Sequence, residues 1–454
     1  MHTTFSIEEL RAAIAGPVIG PADDDYDTAR SVMMRSFDRR PAAIARPVDA
    51  GEVAHLVSLA REEGLELAVR SGGHSYAGHS ASEGGLVLDV HGLTSLEIDP
   101  DARVVRAGGG LTSGEVTTAA APHGLAVGFG DTPTVGIGGI TLGGGAGYLV
   151  RKHGLTIDQL LGAEVVTADG RVLEVDETHE PDLFWAIRGG GGNFGVVTRF
   201  DYRLQPVGTV TGGMLAIPAT PETLARVVEL ADAAPEDLSM IANVLAAAPP
   251  LPFVPQELVG KPLILALLVY AGPLDEEEQA LAALREPAVA DFVRTMPYNE
   301  MFTMEAPEGP PRAVTNTFFS DSFDAADAGE LLERMGTSTA LLAAAQIRVL
   351  GGAVSRVPVE ATAYAHRQRR LMLNVAAIYA SPEEDDVHRA FVDEAAASLR
   401  RGDDGAYVNF LGDEGPDRVR AAYPGATWDR LVDVKLRYDP ENVFRMNQNV
   451  LPPA

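Results

Sequence analysis

The segment 70–80 contains the side chains of this sequence that are best suited to chemistry, in the order Arg-Ser-Gly-Gly-His-Ser-Tyr-Ala-Gly-His-Ser. Its adjacent glycines, Gly72 and Gly73, lack a Cβ and allow a turn whose backbone N–H groups form a concave anion site. His74 lies inside this turn, and its ring nitrogen can act as a nucleophile. Three neighbours add polar groups for the same anion: Arg70, Ser71 and Ser75. The segment predicts a nucleotide cofactor that is held by its phosphates and bonded to the protein.

Both histidines of this segment also admit a structural interpretation. His74 could be a loop histidine whose ring is hydrogen-bonded to the backbone. His79 either contacts the cofactor or stabilises the loop, and we include it among the candidate cofactor residues. Tyr76, which follows the attachment site closely, is expected to line the mouth of the pocket.

A second glycine-rich segment spans residues 128–154. So many glycines disfavour both helix and strand. A flexible linker is the alternative, but linkers lack interspersed large apolar residues such as Ile137, Leu142 and Tyr148. The segment therefore predicts backbone that lies against a planar ring and its phosphate chain. Its candidate cofactor residues are Thr132, Thr134, Val135, Gly138, Gly139, Thr141, Gly144 and Gly147.

The segment 189–195, Gly-Gly-Gly-Gly-Asn-Phe-Gly, matches the dinucleotide fingerprint G-x-G-x-x-G over residues 190–195. That fingerprint requires a strand before it and a helix after it. Here a predicted helix at 181–188 precedes the glycines and a predicted strand at 196–204 follows them. The context argues against a Rossmann fold. Gly195 and Val196 remain candidate cofactor residues.

Four blocks in sequence order resemble the vanillyl-alcohol-oxidase/berberine-bridge family of FAD oxidases. They are Arg-Ser-Gly-Gly-His-Ser at 70–75, the glycine-rich segment 128–154, Gly-Asn-Phe-Gly-Val-Val at 192–197, and the closing segment 438–449 with Tyr-Asp-Pro-Glu-Asn-Val-Phe. The pattern is most similar to that of bacterial members with a single histidyl link, among them amine oxidases of the 6-hydroxynicotine type. The resemblance implies an α+β fold with a PCMH-type FAD-binding domain of two α/β subdomains. It also implies a substrate domain with an antiparallel sheet backed by helices.

The resemblance further implies roles for individual residues. His74 would be bonded to the 8α-methyl of FAD, and the amides of its loop would hold the pyrophosphate. In doubly linked members a cysteine precedes the Pro-x-Val-Gly turn, where this chain has Thr132, so that a single covalent link is expected. Asn447 and Asn449, on the closing segment, are expected to contact the flavin.

The catalytic candidates are Tyr407, Asn409 and Tyr379. Residues 406–410 are predicted to form a strand with Tyr407 and Asn409 on one face, and they resemble the family's flavin-facing Tyr-x-Asn segment. A phenol with a lowered pKa can serve as general base, whereas a core tyrosine would bond its hydroxyl to backbone. Asn409 would hydrogen-bond substrate or flavin. Tyr379 would form an aromatic wall beside the ring, or pack in the core.

Three polar residues lie on otherwise apolar predicted strands of the second domain: Gln346, Arg348 and Asn374. Each would point either into the substrate cavity or toward solvent.

Composition limits the remaining possibilities. The 454 residues suffice for two domains, and 46% of them are hydrophobic. A formal charge of −28 disfavours nucleic acid and anionic membranes as partners. The chain has no cysteine, which excludes disulfides and thiolate chemistry, and no metal site is expected. Without a signal peptide or a membrane-spanning apolar run, we expect a cytoplasmic protein, either monomer or homodimer.

Periodicity predicts alternating helices and strands up to residue 207. The helices are placed at 7–14, 53–63, 112–123 and 181–188, and the strands at 65–69, 86–89, 104–107, within 158–175, and 196–204. Strands at 210–217, 240–247, 263–270, 347–351 and 371–379 follow, separated by longer helical segments. This pattern divides the chain into an FAD-binding domain (1–207), a substrate domain (208–403) and a C-terminal segment (404–454) that returns to the first domain.

The sequence therefore predicts an FAD-dependent oxidase. A hydride would pass from an alcohol or amine carbon of a small molecule to the flavin, and O2 would reoxidise the flavin to give hydrogen peroxide. A flavin-dependent dehydrogenase, an oxygenating tailoring enzyme and a non-catalytic flavin-binding protein are the alternatives. No motif of the second domain indicates the substrate.

Overall fold

The first of three sheets is built from short buried strands near the N-terminus. The computed structural model describes residues 6–250, 254–302, 312–401 and 404–451. The sheet has the order β1-β2-β4-β3, with β2, β4 and β3 parallel. Its elements are α1 (Ile7–Ala13), β1 (Val18–Ile19), α2 (Tyr26–Ala29), β2 (Ala43–Ala45), α3 (Ala50–Glu62), β3 (Leu67–Arg70) and β4 (Leu86–Asp89).

Helix α3 shows why these elements form where they do. The Asp49 side chain accepts the backbone N–H of Glu52 and so begins the helix. The buried side chains of the helix recur at the spacing of one helical face: Val53, Leu56, Val57 and Ala60. This face packs into the core of the first sheet. The cofactor loop predicted at 70–80 begins where β3 ends.

The second sheet is antiparallel, with the order β5-β6-β10-β8-β9. Its strands are β5 (Leu96–Asp99), β6 (Val104–Gly108), β8 (Leu160–Val166), β9 (Val172–Val175) and β10 (Val196–Arg203). A small pair, β7 (Leu125–Ala126) and β11 (Gln205–Pro206), lies beside it. The helices of this region are α4 (Ser113–Ala120), α5 (Ile137–Leu142), α6 (Val150–His153) and α7 (Pro181–Ile187).

The third sheet is also antiparallel and has the order β15-β12-β14-β13-β18-β19-β17, with β16 paired to β12. Its strands are β12 (Thr209–Pro218), β13 (Leu238–Leu245), β14 (Leu263–Tyr270), β15 (Ala290–Asp291), β16 (Arg294–Pro297), β17 (Arg312–Ser320), β18 (Leu342–Val349) and β19 (Leu371–Tyr379). Four helices share its main core: α8 (Pro221–Ala233), α9 (Glu277–Arg285), α10 (Ala325–Gly336) and α12 (Asp385–Leu399). The short α11 (Ala353–Arg356) precedes β19. The predicted antiparallel sheet backed by helices is confirmed.

The C-terminal segment packs against the second sheet. It contains α13 (Pro416–Ala422) and α14 (Ala426–Tyr438), and Leu431 and Tyr438 belong to the core around that sheet. The division of the chain at residues 207 and 403 stays a prediction. Within the described ranges, no helix has the length and apolarity needed to cross a membrane.

Most predicted elements are present, but some differ and several short ones were not predicted. The glycine-rich segment 128–154 was expected to be poor in helix, yet it contains α5 and α6. Residues 406–410 do not form a strand; residues 408–410 form a single turn of 3-10 helix instead. β18 begins five residues before the predicted strand. The prediction missed these residues because the run 343–345 is alanine, which has low strand propensity. β17 was not predicted. The glycines 190–195 are preceded by α7 and followed by β10, so the Rossmann context is absent as predicted.

Candidate active site

A cavity lies where the first two sheets, the third sheet and the C-terminal segment meet. Part of its wall comes from strands of the first two sheets, including Val69 and Val196. Another part comes from β18 and from residues 407–411. The predicted residues that line it are Ser71, Gly72, Gly73, His74, Ser75, His79, Thr132, Val135, Gly138, Gly139, Gly195, Val196, Tyr407, Asn409 and Asn447. Residues far apart in sequence are therefore brought to one surface.

The two glycine segments cross in direct backbone contact at the cavity wall. A Cβ added to Gly72 would lie 2.1 Å from the backbone nitrogen of Gly136, and one added to Gly136 would lie 2.2 Å from that of Gly72. Neither backbone can retreat without moving the other, so both positions require glycine. The crossing places the His74 turn against the residues that precede α5.

His74 is half-buried in this turn, and its Nε2 lies 3.1 Å from the Thr134 hydroxyl. Among the described residues no hydrogen-bond partner contacts its other ring nitrogen, Nδ1. Burial lowers the pKa of His74, so the ring is held in its neutral form near pH 7. Thr134 does not line the cavity; it acts through His74. A neutral imidazole with one nitrogen engaged is arranged as a nucleophile at the other.

His79 lines the same cavity in a more buried environment. Burial, with a contribution from nearby Arg39, lowers its pKa to about 4. Its Nε2 is buried with no hydrogen-bond partner among the described residues. Such an unpaired buried nitrogen is uncommon in native structures.

Tyr407 and Asn409 are held by the glycine segment. The Tyr407 hydroxyl accepts hydrogen bonds from the Gly145 N–H, at 2.9 Å, and from Asn409 Nδ2, at 3.1 Å. Asn409 Nδ2 also donates to the Ile140 carbonyl. These bonds to backbone explain why the segment is not a strand: its side chains bond to the loop beside it. Gly144 lies next to the Tyr407 ring, and Gly147 abuts the backbone of the 129–130 loop.

The prediction of a lowered pKa for Tyr407 is wrong. Burial raises the pKa of this phenol, and the two donated hydrogen bonds and the Arg348 charge offset burial only in part. Tyr407 is therefore protonated at neutral pH. The donors around its oxygen nevertheless make the phenolate less costly to form than it would be without them.

Arg348 connects three parts of the cavity. Its guanidinium donates to Asp131, to the Ala146 carbonyl at 2.9 Å and to Gln346 at 2.9 Å. It also lies over the Phe410 ring, 5.3 Å from the centroid. Gln346 in turn donates to Asn243. Gln346 and Arg348 were predicted to face either the cavity or solvent, and both line the cavity.

Strand alternation decides which third-sheet residues reach the cavity. Asn374 pairs directly with Gln346 across β18 and β19 and so shares its face, but it does not line the cavity. Tyr379 lies on the opposite face of β19, with Leu371, Leu373 and Val375 in the helix-covered core. Its ring packs on His388 of α12, with centroids 4.5 Å apart. The prediction that Tyr379 walls the flavin ring is therefore wrong.

Besides Thr134, five predicted cofactor residues do not line the cavity: Gly144 and Gly147, described above, and Thr141, Asn449 and Arg70. The Thr141 hydroxyl bonds to that of Tyr202, at 2.7 Å, beneath the second sheet. Asn449 has its Oδ1 buried outside the cavity wall. Arg70 turns to the far side of its loop, where its Nη2 bonds to Asp89 at 2.8 Å. In a strand that ends at a turn, alternation sends Arg70 away from the side that Ser71 faces.

Asp131 and Phe410 are among the cavity-lining residues that were not predicted from the sequence. Asp131 binds Arg348, and Phe410 contacts Tyr76, Tyr407 and Arg348. A signal for Asp131 was present, because it is the one charged residue within 128–150. No comparable signal marked Phe410. Tyr76, expected at the pocket mouth, does line the cavity.

The closing segment is fixed by a buried ion pair. Lys435 Nζ lies 2.5 Å from Asp439 and also donates to the carbonyls of Asn193 and Phe444. Asp439 accepts the backbone N–H groups of Val443 and Phe444. Both side chains are fully buried. Asn447 Nδ2 donates to the Gly192 carbonyl, so the closing segment is tied to the glycines at 189–195.

Replacing Arg348 tests the connection it makes. We expect Arg348→Met to lower the free energy of unfolding by about 2–3 kcal/mol, because hydrogen bonds to charged groups are lost and Asp131 keeps a charge without its partner. Guanidinium unfolding followed by circular dichroism measures the change. Arg348→Lys should recover only part of it, since one ammonium cannot direct three planar bonds.

The matched control is Arg356→Met, because Arg356 is an exposed arginine paired with Glu236. It should leave stability almost unchanged. Equal stability of the Arg348→Met and Arg356→Met variants would show that the Arg348 bonds do not hold the third sheet to the loop.

Comparison with known proteins identifies the family. Residues 41–176 match the FAD binding domain, and residues 406–451 match the domain described as berberine and berberine like. The (R)-6-hydroxynicotine oxidase of Paenarthrobacter nicotinovorans is 32% identical, over 97% of this chain and 97% of its own. The xylooligosaccharide oxidase of Thermothelomyces thermophilus is 30% identical, over 98% of this chain and 94% of its own.

Solved structures of other proteins show the same fold. The crystal structure of 6-hydroxy-D-nicotine oxidase from Arthrobacter nicotinovorans superposes with a TM-score of 0.86 and 28% identity, covering 97% of this chain and 98% of that one. The glucooligosaccharide oxidase of Acremonium strictum, described with a 6-S-cysteinyl, 8α-N1-histidyl FAD, shares the fold with a TM-score of 0.83 at 23% identity, covering 99% of this chain and 100% of its own. The two domain matches and the full-length relatives confirm the α+β fold that the four blocks indicated, and this chain belongs to the berberine-bridge-like family of FAD-linked oxidases.

Proposed function

We propose that the cavity holds FAD bonded to His74, and that the enzyme oxidises a small-molecule alcohol or amine with O2 as electron acceptor. The observation that carries this proposal is the position of His74: it lies in a glycine turn that lines the same cavity as Tyr407 and Arg348. The residue that we propose to bond FAD and the polar side chains that we propose to meet the substrate therefore line one cavity.

The residues present fit FAD. Glycines form much of the wall near the turn, so backbone can approach a flat ring and its phosphates. Thr132 carries no thiol, so we propose a single covalent link.

His74 supports attachment through Nδ1. Thr134 engages Nε2 and thereby orients the ring. Because burial lowers the pKa of His74, the neutral nucleophile predominates above the ordinary imidazole value of 6.5. The imidazolium, which cannot attack, forms only at a pH below the lowered pKa. We therefore expect FAD attachment to proceed equally well at pH 7 and pH 8 and to slow only in acid.

The direct test is acid precipitation of the purified holoenzyme. We expect the yellow colour to remain in the pellet, and a protease digest to contain one flavin peptide, which includes His74. In His74→Ala we expect the pellet to be colourless, with any bound FAD released to the supernatant. His79→Ala is the matched control, since the same loop keeps its attachment histidine, and its pellet should stay yellow.

Two outcomes would contradict the proposal. A colourless pellet from the unaltered protein would remove the covalent link while leaving FAD binding in place. A yellow pellet from His74→Ala would move the link to another residue.

We propose that the substrate binds in the part of the cavity lined by Tyr407, Asn409 and Gln346, and that these side chains assist its oxidation. Bound FAD supplies the two-electron acceptor, which O2 regenerates with release of hydrogen peroxide. Oxidation of a substrate CH–OH or CH–NH group to C=O or C=N releases two electrons and two protons. One proton leaves with the hydride, and the other must leave the oxygen or nitrogen. Tyr407 faces the cavity and, as phenolate, can take this second proton; Asn409 and Gln346 offer amide groups that orient the substrate.

A panel of donors tests the reaction class. (R)-6-hydroxynicotine and xylobiose head the panel. One relative is named as the oxidase of the first compound, and the second compound is bound in a solved structure of a xylooligosaccharide oxidase. Anaerobic bleaching of the flavin identifies a donor, and peroxide formed in stoichiometric amount on admitting air supports an oxidase. Slow reoxidation in air would favour a dehydrogenase, and labelled oxygen in the product would favour an oxygenase. We further propose a cytoplasmic monomer or homodimer, which fractionation and size-exclusion chromatography test.

A further inference from the structure

A second cavity lies behind the loop that carries His74. Its volume is about 640 Å³, and it is lined on one side by Gly72, Gly73 and His74. The opposite lining comes from the first sheet and the N-terminal segment, and four basic side chains are among its residues: Arg35, Arg46, Arg70 and His91. In a chain with a formal charge of −28, such a concentration of basic groups is unusual.

One carboxylate, Asp89, contacts three of these side chains. Its Oδ2 accepts from Arg46 Nε at 2.9 Å and from Arg70 Nη2 at 2.8 Å, and its Oδ1 lies 2.5 Å from His91 Nδ1. Asp89 is fully buried. Burial alone would raise its pKa, but the hydrogen bonds and charges of His91 and Arg70 together hold the pKa well below its ordinary value. One negative charge therefore faces two guanidinium groups, and the cluster keeps excess positive charge.

The cluster also leaves N–H donors unused. Arg70 is 4% exposed, and its Nη1 is buried with no hydrogen-bond partner in the described part of the chain. Buried guanidinium nitrogens almost always have an acceptor. Arg46 uses Nε for Asp89, and its side chain is 34% exposed at the cavity. Forked guanidinium donors at a basic cavity match the oxygens of phosphate or carboxylate groups.

We propose that this second cavity is a binding site for an anion, the phosphate or carboxylate group of a small metabolite, distinct from the FAD site. The anion accepts from the Arg46 guanidinium nitrogens that Asp89 leaves unused, and the positive charge of the buried Arg70 attracts it. Because Arg70 directly precedes the His74 loop, and Gly72, Gly73 and His74 line both cavities, an occupant of the second cavity contacts the same loop as the main cavity does. The proposal does not depend on the substrate of the oxidase reaction.

The test is calorimetric titration of the FAD-loaded holoenzyme at low ionic strength. Inorganic phosphate and acetate are the probes, and sodium chloride at matched ionic strength is the blank. We expect saturable binding of at least one probe. If only phosphate or only acetate binds, that result identifies the anionic group that the site prefers. Arg46→Gln should weaken this binding at least tenfold. This variant keeps Arg70 and His91 on Asp89, so its fold should be retained.

Arg106→Gln is the matched control, because Arg106 is an exposed arginine on β6 outside the cavity. Its binding of the probe should equal that of the unaltered protein. Heats no different from the chloride blank, or equal affinities in Arg46→Gln and the unaltered protein, would overturn the proposal. Binding seen in FAD-free protein and absent from holoenzyme would assign the cavity to FAD and overturn it as well.

Discussion

Tyr407→Phe should slow flavin reduction by about 10²–10³-fold while leaving FAD bound, because it removes the cavity-lining hydroxyl that we propose as the proton acceptor and that the Gly145 amide supports. Burial raises the pKa of this phenol. The proton-accepting phenolate therefore becomes more abundant as pH rises, and we expect the rate in the unaltered enzyme to increase through the alkaline range. Stopped-flow reduction under anaerobic conditions, with the best donor of the panel, measures both effects.

Tyr364→Phe is the control for this prediction. The Tyr364 ring lies edge-on to Tyr407, with centroids 6.2 Å apart, and its hydroxyl is buried outside the cavity. Its pKa is also raised by burial. We expect the Tyr364→Phe variant to retain both rate and pH profile. If Tyr407→Phe keeps the alkaline increase, another group takes the proton.

Asp439→Asn should lower the free energy of unfolding by about 3 kcal/mol or more, because it leaves the ammonium of Lys435 buried without its countercharge. Burial already lowers the pKa of Lys435, against the opposing effect of Asp439. The variant should also release FAD more readily, since Asp439 holds the backbone N–H groups of Val443 and Phe444, which precede the cavity-lining residues Met446 and Asn447. Guanidinium unfolding and flavin retention on gel filtration measure the two effects.

Asp433→Asn supplies the matched control, since Asp433 is an exposed residue of the same helix. It should leave both measurements almost unchanged. The double variant Lys435→Met/Asp439→Leu should not restore stability. Although apolar replacement of an ion pair is often tolerated, here the pair also satisfies two carbonyls and two N–H groups of the backbone. Full stability of either Asp439 variant would show that the ion pair does not fix the closing segment.

Several site residues could be predicted because their role depends on local sequence. The His74 turn needs adjacent glycines and a nucleophile within a few residues, and both are visible in the order of amino acids. The resemblance of four sequence blocks to a known family also allowed Tyr407 and Asn409 to be predicted as site residues. The structure brings these two side chains to the cavity beside each other. Thr132 in place of cysteine was likewise a matter of residue type alone.

Other residues depended on geometry that spacing does not contain. Tyr379 looked suitable by type, yet strand alternation turns it to the helix-covered face, whereas Gln346 and Arg348 share the cavity face. Arg70 was adjacent to the phosphate turn in sequence, but Asp89 draws it to the far side of the loop. Asp131 and Phe410 gained their roles only through Arg348, which reaches them from a strand more than two hundred residues from Asp131.

The sequence by itself determined the cofactor class, the attachment histidine as a candidate, the α+β organisation and the two glycine segments, because each depends on residue types at short spacing. The tertiary structure decided which side chains face the cavity, the raised rather than lowered pKa of Tyr407, and the basic cavity behind the loop. These properties arise from burial and from contacts between distant segments. Both depend on how three sheets and the closing segment meet, and no local pattern contains that information.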